Sequence, residues 1–138
     1  MFTNNVAIIA QVISDITSAV STYSITNINN DEPLNLIYSD LPAIAVYPVR
    51  EEFIYDDSSS NSEKKKLALR IELRMLGGPA SIVCSPVINS ISDAIKADRT
   101  LNGLAVYVER QSIQWANEQI SQGQICGASL DLEIEYFT

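Results

Sequence analysis

Leu130-Asp131-Leu132-Glu133-Ile134-Glu135-Tyr136 is the stretch that decides the fold class of this chain. Its apolar and acidic residues alternate strictly, and successive side chains of a strand point to opposite faces of a sheet. The pattern therefore predicts a half-buried strand, with an apolar face toward the core and an acidic face outward. We expect this closing strand to run from Ile125 to Tyr136, after a turn at Gln122-Gly123-Gln124.

A hairpin is predicted upstream of the closing strand. Residues 42–48 are nearly all apolar and are bracketed by prolines, which favours a central strand buried on both faces, and extended chain continues over 52–55. Residues 67–76 alternate over ten positions and predict the second strand. The polar stretch between them predicts a long, mobile tip at 56–66, with Lys64-Lys65-Lys66 at a solvated loop edge.

Two helices are predicted from apolar residues that recur every three or four positions. The first covers about residues 4–22, with Thr3, Asn4 or Asn5 as its cap. The second starts either at Pro79 or at Ser85-Pro86, where Ser85 would cap, and ends near Ala97. Their apolar faces comprise Val6, Ile9, Ile13, Ile16 and Val20 in the first helix, and Val87, Ile88, Ile91, Ala94 and Ile95 in the second.

The remaining segments complete the predicted order. Residues 23–41 are rich in Asn, Asp and Ser and predict an irregular connection with one short extended piece near 36–38. A turn at 98–104 leads into extended chain over 104–115. This order predicts an α+β fold, a mostly antiparallel mixed sheet with two helices packed on one face and a long β-hairpin. A length of 138 residues fits a single domain spanning 1–138.

Composition and charge exclude several classes of protein. Hydrophobic residues make up 46% of the chain and charged residues 19%, as is typical of globular proteins. The apolar runs are too short to span a bilayer, and residues 1–5 do not begin a signal peptide, so we expect synthesis in a cytoplasm and no membrane partner. The net charge of -8 argues against phosphate binding and suits either a wall that DNA slides past or a protein that never meets DNA.

The residue types that catalysis and metal binding need do not converge in this sequence. The chain has no histidine, which excludes the usual proton shuttles and triads. Adjacent carboxylates at Glu51-Glu52 and Asp56-Asp57 point to opposite faces of extended chain and cannot share one site. Cys84 and Cys126 lie in apolar contexts and predict buried free thiols. We therefore expect no enzyme activity, no catalytic residue, no cofactor and no metal.

The layout of these elements resembles that of a known family. The resemblance is carried by Leu41-Pro42-Ala43-Ile44-Ala45-Val46 as first strand, a helix ending near Ala97, Leu101-Asn102-Gly103-Leu104-Ala105, and the alternating closing strand. In this order they are similar to the tail terminator proteins of long-tailed bacteriophages, also called minor tail or tail completion proteins. The likeness covers about residues 4–22 and 41–136.

The resemblance implies a structural role in a virion. Proteins of this family form a ring, a hexamer, that caps the head-proximal end of the tail tube, ends tube polymerisation and offers a docking face for the head connector. It implies that the hairpin over residues 50–74 contacts a neighbouring subunit or the tube, and that DNA passes through the bore without specific binding. Such a protein would be assembled in the host cytoplasm and would lie in the tail or neck of the virion.

Two features of the surface are candidate interfaces, the polar hairpin tip and the acidic face of the closing strand. The interface candidates are Asp56, Asp57, Lys64, Lys65, Lys66, Asp131, Glu133 and Glu135. Two other functions fit the same sequence. One is another neck, head-completion or tail tube component, and the other is a non-viral acidic α+β binding module.

Overall fold

A five-stranded sheet with helices on one face forms the fold. The computed structural model describes residues 4–30, 41–57, 62–121 and 123–138. The elements are helix α1 (Asn5–Val20), a 3-10 turn (Ser21–Tyr23), strands β1 (Asn27–Asn30), β2 (Ala43–Asp57) and β3 (Ser62–Leu76), helices α2 (Ala80–Val83) and α3 (Ser85–Ala97), and strands β4 (Tyr107–Ile120) and β5 (Gly123–Phe137). The strand order is β1-β2-β3-β5-β4, with β1 parallel to β2 and the other pairs antiparallel. The predicted α+β class with two main helices is confirmed.

Strands β3 and β5 form the centre of the sheet, and their apolar faces coincide. Leu69 lies opposite Leu132 and Ile71 opposite Leu130, and all four side chains are at most 1% exposed. Burying an aliphatic side chain of this size stabilises a fold by roughly 1.5–3 kcal/mol. The predicted alternation of the closing strand is confirmed, and the strand is longer at both ends than expected.

Strand β2 is central over its first residues and becomes an edge further along. The four residues Ala43–Val46 are all buried, which confirms the prediction of a strand covered on both faces for this part of 42–48. The prediction was wrong for Pro48, which is exposed. Strand β1 pairs with β2 only over Ala43–Val46. Beyond them β2 has β3 on one side, and Pro48, Val49 and Arg50 are exposed. Proline fits this part of the strand because it has no N–H to donate to a neighbour.

Helix α1 packs along the sheet through residues spaced four apart. Asn4 is the cap, and its Oδ1 accepts a hydrogen bond of 2.9 Å from the Ala7 N–H. The residues Ile8, Val12, Ile16 and Val20 are completely buried. Val6 was predicted on the apolar face but is 71% exposed, because it lies on the opposite side of the helix from Ile8. The segment Asn5–Tyr23 is long and apolar enough to cross a membrane by length and composition alone, contrary to our expectation, yet its apolar stripe lies in the core.

The second helical region uses both predicted starts. Helix α2 begins after Pro79 and ends at Cys84, from which α3 starts. Ser85 lies inside α3 and does not cap it, since Cys84 occupies the cap position and no side chain there accepts a bond. The predicted end at Ala97 is confirmed. The sequence predicted one helix, whereas the structure has two, which meet at Cys84.

Three other sequence-based expectations need correction, and a fourth stays untested. Strand β1 at Asn27–Asn30 lies in the 23–41 connection, and the extended piece predicted near 36–38 falls outside the described residues and stays a prediction. Lys64, Lys65 and Lys66 belong to β3 and not to a loop edge, because pairing with β2 and β5 continues to that end of the sheet. Of the tip predicted at 56–66, only residues 58–61 separate the two strands, and they too lie outside the described residues. Strand β5 begins at Gly123, so Gly123 and Gln124 belong to the strand and not to the turn that we expected at 122–124.

A pair of carboxyl groups joins α1 to the end of α3. The Gln11 amide Nε2 donates to Asp15 Oδ1 at 3.1 Å and to Asp98 Oδ2 at 3.3 Å, and the Asn102 N–H donates to Asp98 Oδ1. Burial, with the adjacent Asp98, raises the pKa of Asp15 to about 7. A hydrogen bond from Asp15 lowers the pKa of Asp98. The two groups therefore share one proton below neutral pH.

Replacement of Asp15 by asparagine should change how stability depends on pH. The folded-state pKa of Asp15 is raised, so its stabilising contribution is complete below its ordinary value of 3.8 and is lost as pH rises through about 7. Between pH 5 and pH 8 the contribution of Asp98 is constant, because the pKa of Asp98 is lowered and lies below this window. We expect wild type to lose about 1–2 kcal/mol relative to Asp15→Asn between pH 5 and pH 8, a value reduced for partial exposure. Urea unfolding at both pH values measures it.

The exposed residue Asp93 on α3 supplies the matched control. Asp93→Asn should follow the pH dependence of wild type. An identical pH dependence in wild type and Asp15→Asn would show that the carboxyl pair does not share a proton.

Candidate interaction surface

The helices cover one face of the sheet, and the opposite face of β3 and β5 carries charged side chains. We call this the charged face, and it comprises Lys64, Lys66, Arg70, Asp131, Glu133 and Glu135. The alternation along both strands places these residues opposite the buried Leu and Ile positions. No helix in the described parts of the chain packs over these six residues, which are half-buried by one another.

Three ion pairs run in series along the charged face. Lys64 Nζ lies 3.0 Å from Glu135 Oε2, and Lys66 Nζ lies 3.8 Å from Glu133 Oε2. Arg70 Nε donates to Asp131 Oδ1 at 2.8 Å, and the second guanidinium contact reaches Oδ2 at 3.4 Å. The acidic stripe of β5 is thus matched, charge for charge, by a basic stripe of β3. Cross-strand pairs of opposite charge stabilise a sheet and fix its register.

The electrostatics of individual groups follow from these contacts. Burial disfavours the charge of Glu135, but hydrogen bonds from Lys64 and from the Tyr107 hydroxyl at 2.9 Å outweigh it and lower the pKa of Glu135. The hydrogen bond to Asp131 raises the pKa of Arg70 against the effect of burial. Both groups remain charged at neutral pH, and the pairs persist there.

A second polar network continues the charged face toward the start of β2. Tyr47 donates its hydroxyl proton to Glu72 at 3.1 Å, and Arg74 forms an ion pair with the same carboxylate. Glu72 is only 6% exposed, so these partners compensate for the loss of its hydration. Gly127 makes room for the Arg74 guanidinium, since a Cβ there would lie 2.5 Å from Arg74 Nη1. Sequence analysis did not identify this network, because its members come from three strands.

The structure brings five of the predicted interface residues together and separates three. Lys64, Lys66, Asp131, Glu133 and Glu135 share the charged face. Lys65 points to the opposite face, where its Nζ lies 3.5 Å from Glu51 and 5.3 Å from the centre of the Phe53 ring. Asp56 and Asp57 end β2, with their backbone opposite Glu63 and Ser62.

Arg70 is the residue on the charged face that sequence analysis missed. The sequence contains the evidence for it, because Arg70 is an even number of residues from Lys64 and Lys66 and therefore lies on the same face of the strand. Recognising it required the knowledge that β3, and not another strand, lies beside the acidic stripe.

One edge of the sheet exposes apolar side chains. Along the outer part of β2, Val49 is 49% exposed, Phe53 71% and Ile54 44%. The register shifts at Val49 and at Ile54, which marks β-bulges. Bulges and proline discourage unspecific strand pairing at an edge, whereas exposed apolar groups favour a specific contact.

Strand β4 forms the opposite edge and is mostly polar. Its exposed residues include Trp115, at 43%, while Tyr107 is half-buried with its hydroxyl on Glu135. A bulge at Gln111 shifts the register of β4 against β5. Among the described residues, the sheet thus has two edges of different chemistry, an apolar outer part of β2 and a polar β4.

A cavity on the charged face is lined by ion-paired side chains. This depression of about 190 Å³ lies beside Ala68, and its lining includes the pairs Arg50–Glu133 and Arg70–Asp131. In the described parts of the chain, no group of three or more His, Cys, Asp or Glu side chains is placed to hold a metal ion.

No protein-family model matches the chain, and no curated protein does. The fold is similar to that of a chain in a solved structure described as the virion of a native gene transfer agent (GTA) particle, with a TM-score of 0.57. The match covers 94% of this chain and 93% of the other, at 14% sequence identity. At this identity the likeness is one of fold, and it extends over nearly the whole of both chains.

Proposed function

We propose that this protein is a structural component of a phage-like virion, and more specifically a ring that caps the head-proximal end of the tail tube. The ring ends tube polymerisation and provides the surface that joins tail to head. The observation that carries the proposal is the fold likeness to a virion chain over 94% of this chain. The independent resemblance of the element order to tail terminator proteins supports the finer role.

The two edges of the sheet, as far as the structure describes the chain, suit a ring. A contact between two different surfaces of identical subunits is heterologous, and it closes into a ring when the rotation per subunit divides a full turn. In our proposal the outer part of β2, with Phe53 and Ile54, contacts the β4 side of the neighbouring subunit. These apolar groups are exposed in the isolated chain, as expected of a surface that a neighbour covers.

The charge of the chain suits a ring around DNA. Each subunit carries a net charge of -8, so a closed ring has a strongly negative field that repels the phosphate backbone. DNA passes such a bore without specific binding. The charged face contributes little to this field, because Asp131, Glu133 and Glu135 are paired with β3 cations. We propose that it forms part of a boundary with a neighbouring subunit, the tube or a head connector protein.

Assembly with tube protein tests the proposal directly. We expect electron micrographs of the mixture to show tubes capped at one end by a ring with a central hole. Particles produced without the protein should have tails of irregular or excess length that are not joined to heads. Normal tails joined to heads in its absence would rule the proposal out. Unlimited polymerisation of the protein alone would identify a tube subunit, and persistent monomer beside tube protein would favour an acidic binding module.

Substitution at the apolar edge should impair assembly and leave the fold intact. Phe53 and Val6 are equally exposed, at 71%, but Phe53 lies on β2 and Val6 on α1. We expect Phe53→Ser to weaken subunit or tube association roughly tenfold or more, because buried aromatic residues carry much of the energy of an interface. Val6→Ser is the matched control and should assemble normally. Equal effects of the two variants, measured by sedimentation with tube protein, would contradict a role for the β2 edge.

A charge exchange separates the structural role of the charged face from its role in contacts. Arg70→Asp or Asp131→Arg alone places like charges side by side, and each should lower the free energy of unfolding by about 1–2 kcal/mol. The double exchange restores an ion pair and should recover stability to within about 0.5 kcal/mol of wild type. Denaturant unfolding measures both. If the double variant folds but also assembles as wild type does, the charged face does not contact a neighbour.

A further inference from the structure

The two cysteines of the chain are in contact inside the core. Cys84 Sγ lies 3.1 Å from Cys126 Sγ, although the residues are separated by 42 positions. Both are free thiols, with exposures of 0% and 1%. Sequence analysis predicted buried free thiols, which is confirmed, but it did not bring them together. Neither thiol has a role in the surface described above.

The two cysteines that are in contact belong to different layers of the fold. Cys84 is the junction at which α2 ends and α3 begins, so it belongs to the helical layer. Cys126 lies on β5, opposite Met75 of β3, and its side chain belongs to the core between the sheet and the helices. A bond between the two sulfurs would fasten the helical layer to the centre of the sheet.

We propose that Cys84 and Cys126 form an intramolecular disulfide when the folded protein meets hydrogen peroxide. A sulfur–sulfur bond is about 2.05 Å long, so the two atoms need to approach by roughly one ångström, which side-chain rotation supplies. The inference depends on the chain alone and does not rest on the proposed role in a virion.

The reaction balances with peroxide as the oxidant. One sulfur, as thiolate, attacks a peroxide oxygen, the O–O bond breaks, and the departing hydroxide takes up a proton to leave as water. The sulfenic acid that results is attacked by the second sulfur. Its S–O bond breaks, a second water leaves, and the S–S bond forms. Two thiols and one peroxide thus yield one disulfide and two waters, with the sulfurs oxidised and the peroxide oxygens reduced.

The surroundings of the pair make the reaction slow and selective. Burial, together with the neighbouring Cys126, raises the pKa of the Cys84 thiol, which keeps it protonated and poorly nucleophilic. Peroxide is scarcely larger than water and reaches such a site through small openings of the core, whereas a bulky disulfide oxidant does not. The adjacent second sulfur intercepts the sulfenic acid before further oxidation, since it is already in contact.

Peptide mapping after treatment of the intact protein with hydrogen peroxide tests the proposal. We expect a single linked pair of peptides containing Cys84 and Cys126, and a thiol count in denaturant that falls from two to none. Linkage is read from the peptides rather than from intact mass, because Met1 and Met75 also take up oxygen. The midpoint of thermal unfolding should rise by roughly 10 °C, because the link closes a long loop in the unfolded chain. Dithiothreitol should reverse both changes.

Cys84→Ala and Cys126→Ala provide the controls. Neither variant should gain thermal stability on treatment with peroxide, while both retain the methionine oxidation of wild type. Where a variant does not fold, the linked peptides of the wild-type protein still decide the matter. Sulfinic acids without a link, cross-linked dimers, or two intact thiols after prolonged treatment would each overturn the proposal.

Discussion

The pairing of β3 with β5 is the interaction on which the rest of the structure depends. Because side chains alternate between the faces of a sheet, one register aligns the leucines and isoleucines of both strands toward the helices and their charges toward the other face. A slip by one residue would bury Asp131 and Glu133 and expose Leu132, so the core and the ion pairs specify the same register. Helices, edge strands and the charged face are all placed relative to this pair.

The lengths of the strands determine what the protein exposes. Strand β1 is four residues long, whereas β2 has fifteen, so within the described ranges most of β2 has no strand beside its outer edge. The apolar groups Val49, Phe53 and Ile54 lie on this part of β2. An edge strand of this kind is held in place by the strand beside it, and its exposed apolar groups form a surface that favours binding. The proposed contact between neighbouring subunits requires both of these features.

The helical layer brings together residues that are distant in sequence. Asp15 meets Asp98 where α1 crosses the end of α3, and Cys84 meets Cys126 where α3 begins over β5. Helices α2 and α3 connect β3 to β4, and these two strands are not neighbours in the sheet. Strand β5 lies between them. The periodicity of a single segment predicts neither the contact of Asp15 with Asp98 nor that of Cys84 with Cys126. They arise from the order in which elements are packed.

The sequence by itself determined the fold class, the buried first residues of β2 and the alternation of β5, because each depends on local periodicity. It also determined that a polar residue among Thr3, Asn4 and Asn5 caps α1, and the structure decided for Asn4. Tertiary structure decided which strand lies beside the acidic stripe, and so whether Asp131, Glu133 and Glu135 are free or paired. It also decided that Lys64 and Lys66 belong to a strand and that β1 exists, since short or charged strands are stabilised by their neighbours rather than by their own propensity. The acidic stripe is thus local in origin, and its neutralisation by Lys64, Lys66 and Arg70 is a consequence of strand order.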